Sequence, residues 1–257
     1  MSAVYMEHAM AIRTIFCLDA WQRLPQHLLA SLLPAQCALC AGPCRELVCE
    51  PCRQQYLEQT RPRCRQCANP LDDVAQLCGR CLRRPPAYDA TFTAADYAAP
   101  VDQLLLQLKF GARLALAPLF AQLLAQAAQR DSGWDAPQLL CPVPLGPARL
   151  VERGYNQALE IARPLARQLG IALQARLAIR VRETRAQSGV APRERRANLA
   201  HAFIAEPALS AQLDHCHVGI VDDVMSSGHT VHALAAALKR AGARKVTVLV
   251  AARTPPR

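Results

Sequence analysis

The sequence predicts an α/β fold: a doubly wound parallel sheet preceded by a small cysteine-rich module. Three observations carry this. Short apolar runs near residues 140, 175, 220 and 247 alternate with helical stretches, the pattern of a parallel sheet covered on both faces. The run Val218-Gly-Ile-Val-Asp-Asp-Val-Met-Ser-Ser-Gly-His-Thr230 leads from one such strand through two adjacent carboxylates into a hydroxyl-rich turn. Four Cys-x-x-Cys pairs lie upstream of all of these, within residues 37–81.

The length of 257 residues allows one large domain and a small module. The expected division is an N-terminal extension over 1–35, the cysteine module over 36–84 and the sheet domain over 85–257. No apolar run is long enough to span a membrane, and the first residues lack the basic start and apolar core of a secretory signal. A cytoplasmic location is therefore expected. The net charge of +10 is uneven: Cys141–Ala200 holds 11 Arg and 4 Glu and no Lys or Asp, a local excess of +7. Arginine's planar fork suits phosphate, pyrophosphate or a nucleic-acid backbone. Aromatic residues make up only 5% of the chain, so platforms for stacking bases are scarce.

In chain order, Trp21, Leu24, Leu28 and Leu32 fall at helical spacing and predict a short amphipathic helix packed on the next module. Cys37/Cys40, Cys49/Cys52, Cys64/Cys67 and Cys78/Cys81 then follow. Each Cys-x-x-Cys turn brings two thiolates to one side of a loop, and two turns complete a tetrahedral zinc site. Without a secretory signal the pattern favours zinc over disulfides. Eight residues separate the first two pairs and ten the last two. Short loops close at least entropic cost, so sequential sites are preferred, with an interleaved cross-brace as the alternative. Cys44 is a spare thiol.

Arg83–Tyr88, with Pro85-Pro86, reads as a linker, and Ala90–Tyr97 as a strand. Val101–Phe110 and Ala115–Gln129 read as helices broken at Gly111, their leucines as core. Leu139–Val143 is a core strand in which Cys141 acts as a small hydrophobe. The loop after it carries Arg149 and Arg153 at the strand's carboxyl end, where ligands bind in open α/β sheets. A helix ends at Gly170, with Pro164 set to kink it or shift its start. Ala172–Val181 reads as a strand. Arg182–Ala200 begins as a polar loop with Gly189 and Pro192, the character of an active-site lid. Val218–Val221 is a buried strand ending at Asp222 and Asp223. The helix Val231–Ala241 begins in a Ser/Gly/Thr turn whose free N–H groups make an anion site. Carboxylates for hydroxyls beside a cradle for phosphate suit a sugar phosphate. Lys245–Ala251 is the last strand.

Val218–Thr230 resembles the phosphoribosyl-pyrophosphate (PRPP) signature of type I phosphoribosyltransferases. Cys141-Pro-Val-Pro144 with Arg149 and Glu152-Arg-Gly-Tyr-Asn-Gln157 is similar to the ComF family. So is Thr184-Arg-Ala-Gln-Ser-Gly189 with Arg193-Glu-Arg-Arg-Ala-Asn198, and the cysteine ribbon completes the likeness. This resemblance implies the type I phosphoribosyltransferase sheet behind a double zinc ribbon. It implies that Asp222 and Asp223 are the catalytic carboxylates that hold the ribose hydroxyls of PRPP. Ser226, Ser227, Gly228 and Thr230, with the His229 backbone, would cradle the 5′-phosphate. Arg149 and Arg153 would lie at the pyrophosphate, and Thr184, Gln187, Ser188 and Arg193 in the loop that covers the site. Mg²⁺ would bridge pyrophosphate and ribose. His229 replaces the commoner small residue of that loop and is expected to point outward, without a catalytic part. The acceptor would be chosen by a hood built from the N-terminal module and the helices after Tyr97. ComF proteins are associated with natural transformation, so the resemblance implies DNA uptake, with single-stranded DNA and a competence helicase as partners. Two readings follow: a PRPP-dependent transferase, and a non-catalytic DNA-handling factor that keeps the PRPP fold as a sensor.

Overall fold

The computed structural model describes residues 35–58, 61–72, 76–181 and 202–256. The expected helix at Trp21–Leu32 and the loop Arg182–Ala200 lie outside them. No helix among the described residues is long and apolar enough to cross a membrane.

The cysteine module is short of regular structure, as a segment with so little apolar mass must be. β1 (Ala35–Gln36) and β2 (Pro43–Cys44) form an antiparallel pair, and α1 (Glu50–Tyr56) and α2 (Gly79–Arg83) follow. Cys49 and Cys78 are the N-cap residues of these two helices. That register puts Cys52 and Cys81 one turn in, on the side of their partners.

The rest of the chain is β3 (Ala90–Asp96), α3 (Val101–Phe110), α4 (Leu116–Arg130), β4 (Leu139–Pro142), α5 (Pro147–Arg153), α6 (Gln157–Leu169) and β5 (Ala172–Leu173). Then come β6 (Ala178–Arg180), β7 (Phe203–Ala205), a 3-10 turn at Pro207–Leu213, β8 (His217–Met225), α7 (His229–Arg240) and β9 (Lys245–Arg253). Five strands pair in the order β3-β9-β8-β4-β5, every pair parallel. β8 is central and buried on both faces, which is why its run is continuously apolar up to the acids. It lies close against β4: a Cβ at Gly219 would stand 2.6 Å from Leu140 Cδ2 and 2.8 Å from Pro137 Cγ.

Alternation along β9 divides the interior in two. Leu249 and Ala251 face α3, α4 and α6; Val246, Val248 and Val250 face α7 and the β6–β7 pair. The cysteine module reaches both layers. Cys37, Val48, Cys52 and Leu57 join the first, while Cys64, Cys67, Cys81 and Tyr88 join the second.

Three expectations change. Ala172–Val181 is two strands, because the chain turns at Gln174–Leu177 and β6 leaves the sheet to pair antiparallel with β7. That turn contains no glycine or proline to mark it. The Arg83–Tyr88 linker is packed at its end, with Tyr88 only 1% exposed. Pro164 sits inside α6, which begins at Gln157, so it does not shift the start; the helix stops, as expected, at Gly170 in the left-handed conformation.

Candidate functional site

Successive side chains on β8 point to opposite faces, so Asp222 and Asp223 enter the site from the two sides of the sheet. Both are buried, at 8% and 4% exposure. Lys109, in the last turn of α3, holds its Nζ 2.8 Å from Asp223 Oδ2. Asp222 Oδ1 accepts the backbone N–H of Asp223 at 2.9 Å. Burial, and then the neighbouring charge of Asp223, push the Asp222 carboxyl well above the usual carboxylate range. Two buried acids with one facing cation form a site that hydroxyl donors or a cation would relieve.

Ser226 and Ser227 follow in an exposed turn. Gly228 caps α7 at φ 78°, and a Cβ there would stand 2.9 Å from Met225 Cε and 3.0 Å from Tyr88 Oη. The left-handed backbone favours glycine here, and an added Cβ would press on the tips of Met225 and Tyr88. The first N–H groups of α7, at His229 and Thr230, open toward this turn. His229 Nδ1 lies 2.9 Å from the exposed Ser227 Oγ, and the residue is half-buried.

The turn is braced from behind. Arg253, at the end of β9, is 2% exposed. Its Nη1 donates to the carbonyl of Met225 at 2.8 Å and to that of Ser226. Its Nε donates to the carbonyl of Cys67 at 2.9 Å. Arg80 Nη2, from α2, reaches the carbonyl of Ser227 at 3.2 Å. The two arginines thus tie the second cysteine cluster to the loop that would hold phosphate.

β4 pairs with β8 through Pro142 and Val221, which delivers α5 to the same end of the sheet. Glu152–Gln157 is locked there by its polar residues. Gly154 ends α5 at φ 78°, Asn156 caps α6 by accepting from Ala158 N–H at 3.0 Å, and its amide donates to Val143 O at 3.0 Å. Tyr155 donates to the carbonyl of Leu108. Arg153 stands over the ring of Phe110 at 5.2 Å and donates to Gln157. Phe110 is itself exposed, whereas Lys109, the residue before it, turns inward to Asp223. Arg149 is exposed on α5. Thr184, Gln187, Ser188 and Arg193 lie outside the described residues.

Lys109 and Arg253 are absent from the sequence reading. A basic residue in a helix's last turn is what the helix dipole favours anyway, so Lys109 carried no separate signal. Arg253 had one: a charge closing an otherwise apolar strand.

The eight paired cysteines form two clusters, Cys37/Cys40/Cys49/Cys52 and Cys64/Cys67/Cys78/Cys81, each with its sulfurs within 4.8 Å of one another. The grouping is sequential. Cys40 and Cys49 sulfurs are 3.7 Å apart, and Cys67 and Cys78 sulfurs 3.6 Å. A tetrahedron with Zn–S bonds of about 2.3 Å has edges of about 3.8 Å, so both clusters fit structural zinc. Backbone N–H groups of Cys49 and Cys78 donate to Cys37 and Cys64 sulfurs at 3.3 Å each, support that thiolates require. Cys44 bonds the carbonyl of Glu46 and belongs to neither cluster. Burial pushes the Cys141 thiol up to about 12, in keeping with a small buried hydrophobe.

Comparison with known proteins matches this architecture. Residues 28–82 match the double zinc ribbon domain, and residues 156–256 the phosphoribosyl transferase domain. The chain is 36% identical over 228 residues to DNA utilization protein YhgH of Salmonella typhi, covering 86% of this chain and 98% of that protein. It is 34% identical over 228 residues to the same protein of Escherichia coli (strain K12), with the same coverage. It is 31% identical over 204 residues to competence protein F of Haemophilus influenzae, covering 78% of this chain and 88% of that one. Among solved structures, the glutamine phosphoribosylpyrophosphate amidotransferase of B. subtilis aligns at TM-score 0.36 and 17% identity, over 57% of this chain and 30% of that one. The parallel sheet with its acid pair and phosphate-type loop, the module of two four-cysteine clusters and the near full-length relatives agree, and the chain belongs to the ComF/YhgH family of phosphoribosyltransferase-like proteins with an N-terminal zinc ribbon.

Proposed function

We propose that the protein binds PRPP and Mg²⁺ and transfers the phosphoribosyl group to an acceptor. The observation that carries this is the buried pair Asp222 and Asp223, ending the central strand directly before the glycine-capped start of α7. The acids offer acceptors for the ribose hydroxyls, and Ser226–Thr230 offers N–H and hydroxyl donors for the 5′-phosphate. Arg153 and Arg149 supply positive charge at the neighbouring strand end for pyrophosphate, and Lys109 faces Asp223. Two carboxylates are hard oxygen donors of the kind Mg²⁺ takes, so Asp222 and Asp223 fit the ion. When bound, Mg²⁺ would supply charge neutralisation for pyrophosphate. The chain's own work is orientation of the sugar, charge balance by the arginines, and exclusion of water by the Thr184–Arg193 segment. Four thiolates per zinc site suit a reducing cytoplasm.

Calorimetric titration of PRPP with Mg²⁺ tests the reading. Saturable binding to the wild type is expected, with loss in Asp222→Asn/Asp223→Asn; equal binding by the variant refutes it.

A second reading is favoured by the basic stretch Cys141–Ala200 and by relatives named for DNA utilization and competence. Here the fold serves DNA handling, with single-stranded DNA and a helicase as partners and the PRPP site as sensor. Filter binding of single-stranded DNA against salt tests direct contact: affinity that falls steeply with salt is expected, and none at low salt excludes it.

A further inference from the structure

A cavity of about 650 Å³ lies between α2 and α7. It starts at Ser227, Gly228 and His229 and runs along α7 to Arg240. Neither Asp222 nor Asp223 lines it, so it is separate from the acid pair and turns away from it along the outer side of the helix.

Its chemistry is one-sided. Arg80, Arg83 and Arg84 form one wall and Arg240 stands on the other; no acidic side chain among the described residues lines it. Arg83, Arg84 and Arg240 are exposed. Between these charges the surface is apolar, with Pro85 and Pro86 on one side and Ala233 and Ala236 on the other. His232 Nδ1 accepts the backbone N–H of Ala87 at 3.0 Å, which leaves its ring proton on Nε2. The volume is far larger than one phosphate needs and falls within the range of small-molecule sites.

A ligand that satisfies all of this is anionic at one end and flat and apolar at the other. We propose that the α2–α7 pocket binds a nucleoside phosphate, its base between the proline and alanine surfaces and its phosphate on the arginines. Guanidinium groups suit both halves, since they fork onto phosphate oxygens and stack on planar rings. Tyr88 also lines the pocket but is almost wholly buried, so the exposed arginines, the prolines and His232 offer most of the surface for stacking. Two sources offer this chemistry: a free nucleotide, and the end of a single strand. The pocket shares Ser227–His229 with the loop assigned to PRPP but needs none of the PRPP contacts to be filled.

The test uses full-length, zinc-loaded protein titrated calorimetrically at low salt with adenosine diphosphate and, separately, with hexathymidylate. At least one is expected to bind the wild type, and to bind Arg83→Ala/Arg240→Ala at least tenfold more weakly. Ala236→Trp, which fills the cavity without removing charge, is expected to weaken the same ligand. Binding of the diphosphate identifies a free nucleotide as the source, and binding of the oligomer alone a strand end. PRPP affinity and zinc content are expected to stay unchanged in both variants. Absence of binding by both ligands overturns the proposal, as does unchanged binding by the variants. Loss of PRPP binding in the variants overturns it too, by making the pocket part of the PRPP site; loss of PRPP binding in the wild type refutes only the PRPP reading.

Discussion

Arg253 donates from Nε to the carbonyl oxygen of Cys67 at 2.9 Å, while its Nη1 holds the carbonyl of Met225 at 2.8 Å. One buried guanidinium thus joins a zinc-ribbon ligand residue to the strand end that opens the phosphate-type loop. The ribbon is a brace for the loop as well as a covering of the sheet.

Arg253→Ala removes a buried donor from the carbonyls of Cys67, Met225 and Ser226, although Met225 keeps the Thr254 N–H. It is expected to cost about 2–4 kcal/mol in urea unfolding. Arg253→Lys, a single point charge, is expected to recover only part of that. If the brace orders the loop, PRPP affinity falls in both variants more than in a core variant of equal stability cost, such as Leu234→Ala.

The two cysteine clusters are expected to hold one zinc each, measured by plasma emission on purified protein. Cys64→Ser is expected to lower the content from two to one and to destabilise the second layer of the core, where Cys64, Tyr88 and α7 meet. Cys44→Ser is expected to keep both ions and to shift stability by no more than about 0.5 kcal/mol.

Asp222 makes a prediction of opposite sign. Its carboxyl titrates above the usual range because burial, and then Asp223, disfavour the charged form. A raised folded-state pKa means the folded form is favoured below the unfolded carboxylate pKa and loses that advantage as pH rises through the folded value. Asp222→Asn is therefore expected to raise the melting temperature at pH 7, by the equivalent of about 1 kcal/mol, and to give no gain below about pH 4. A site that gains stability on losing a carboxylate keeps the acid for a ligand.

Lys109 and Asp223 are expected to couple. A double-mutant cycle with Lys109→Met and Asp223→Asn, read by denaturant unfolding, should give an interaction of about 1–3 kcal/mol. The single Lys109→Met variant should be the more damaging, because it strands a carboxylate that is 4% exposed.

Much of this was legible in the chain because local pattern and tertiary role coincide. β8 is apolar on both faces up to Asp222, so both strand and site could be read from one run. The Cys-x-x-Cys spacing carried the clusters, and short loops the sequential grouping, because each pair sits at a turn or a helix start. Relations across the fold were not legible. Nothing near Lys109 in sequence announces Asp223, and nothing near Arg253 announces Cys67. The turn at Gln174–Leu177 lacks a breaker residue, and β6 leaves the sheet to meet β7, a partner more than twenty residues on. The α2–α7 pocket is made of segments that look like a ribbon end, a linker and a helix surface until they are packed together.

The most direct measurement is calorimetric titration of PRPP and Mg²⁺ into the wild type and into Asp222→Asn/Asp223→Asn, with unfolding curves showing that both are folded. Saturable one-to-one binding by the wild type and at least hundredfold weaker binding by the variant is the predicted result. Equal affinity in the two proteins, or no binding to the folded wild type, would contradict the assignment of this acid pair to PRPP.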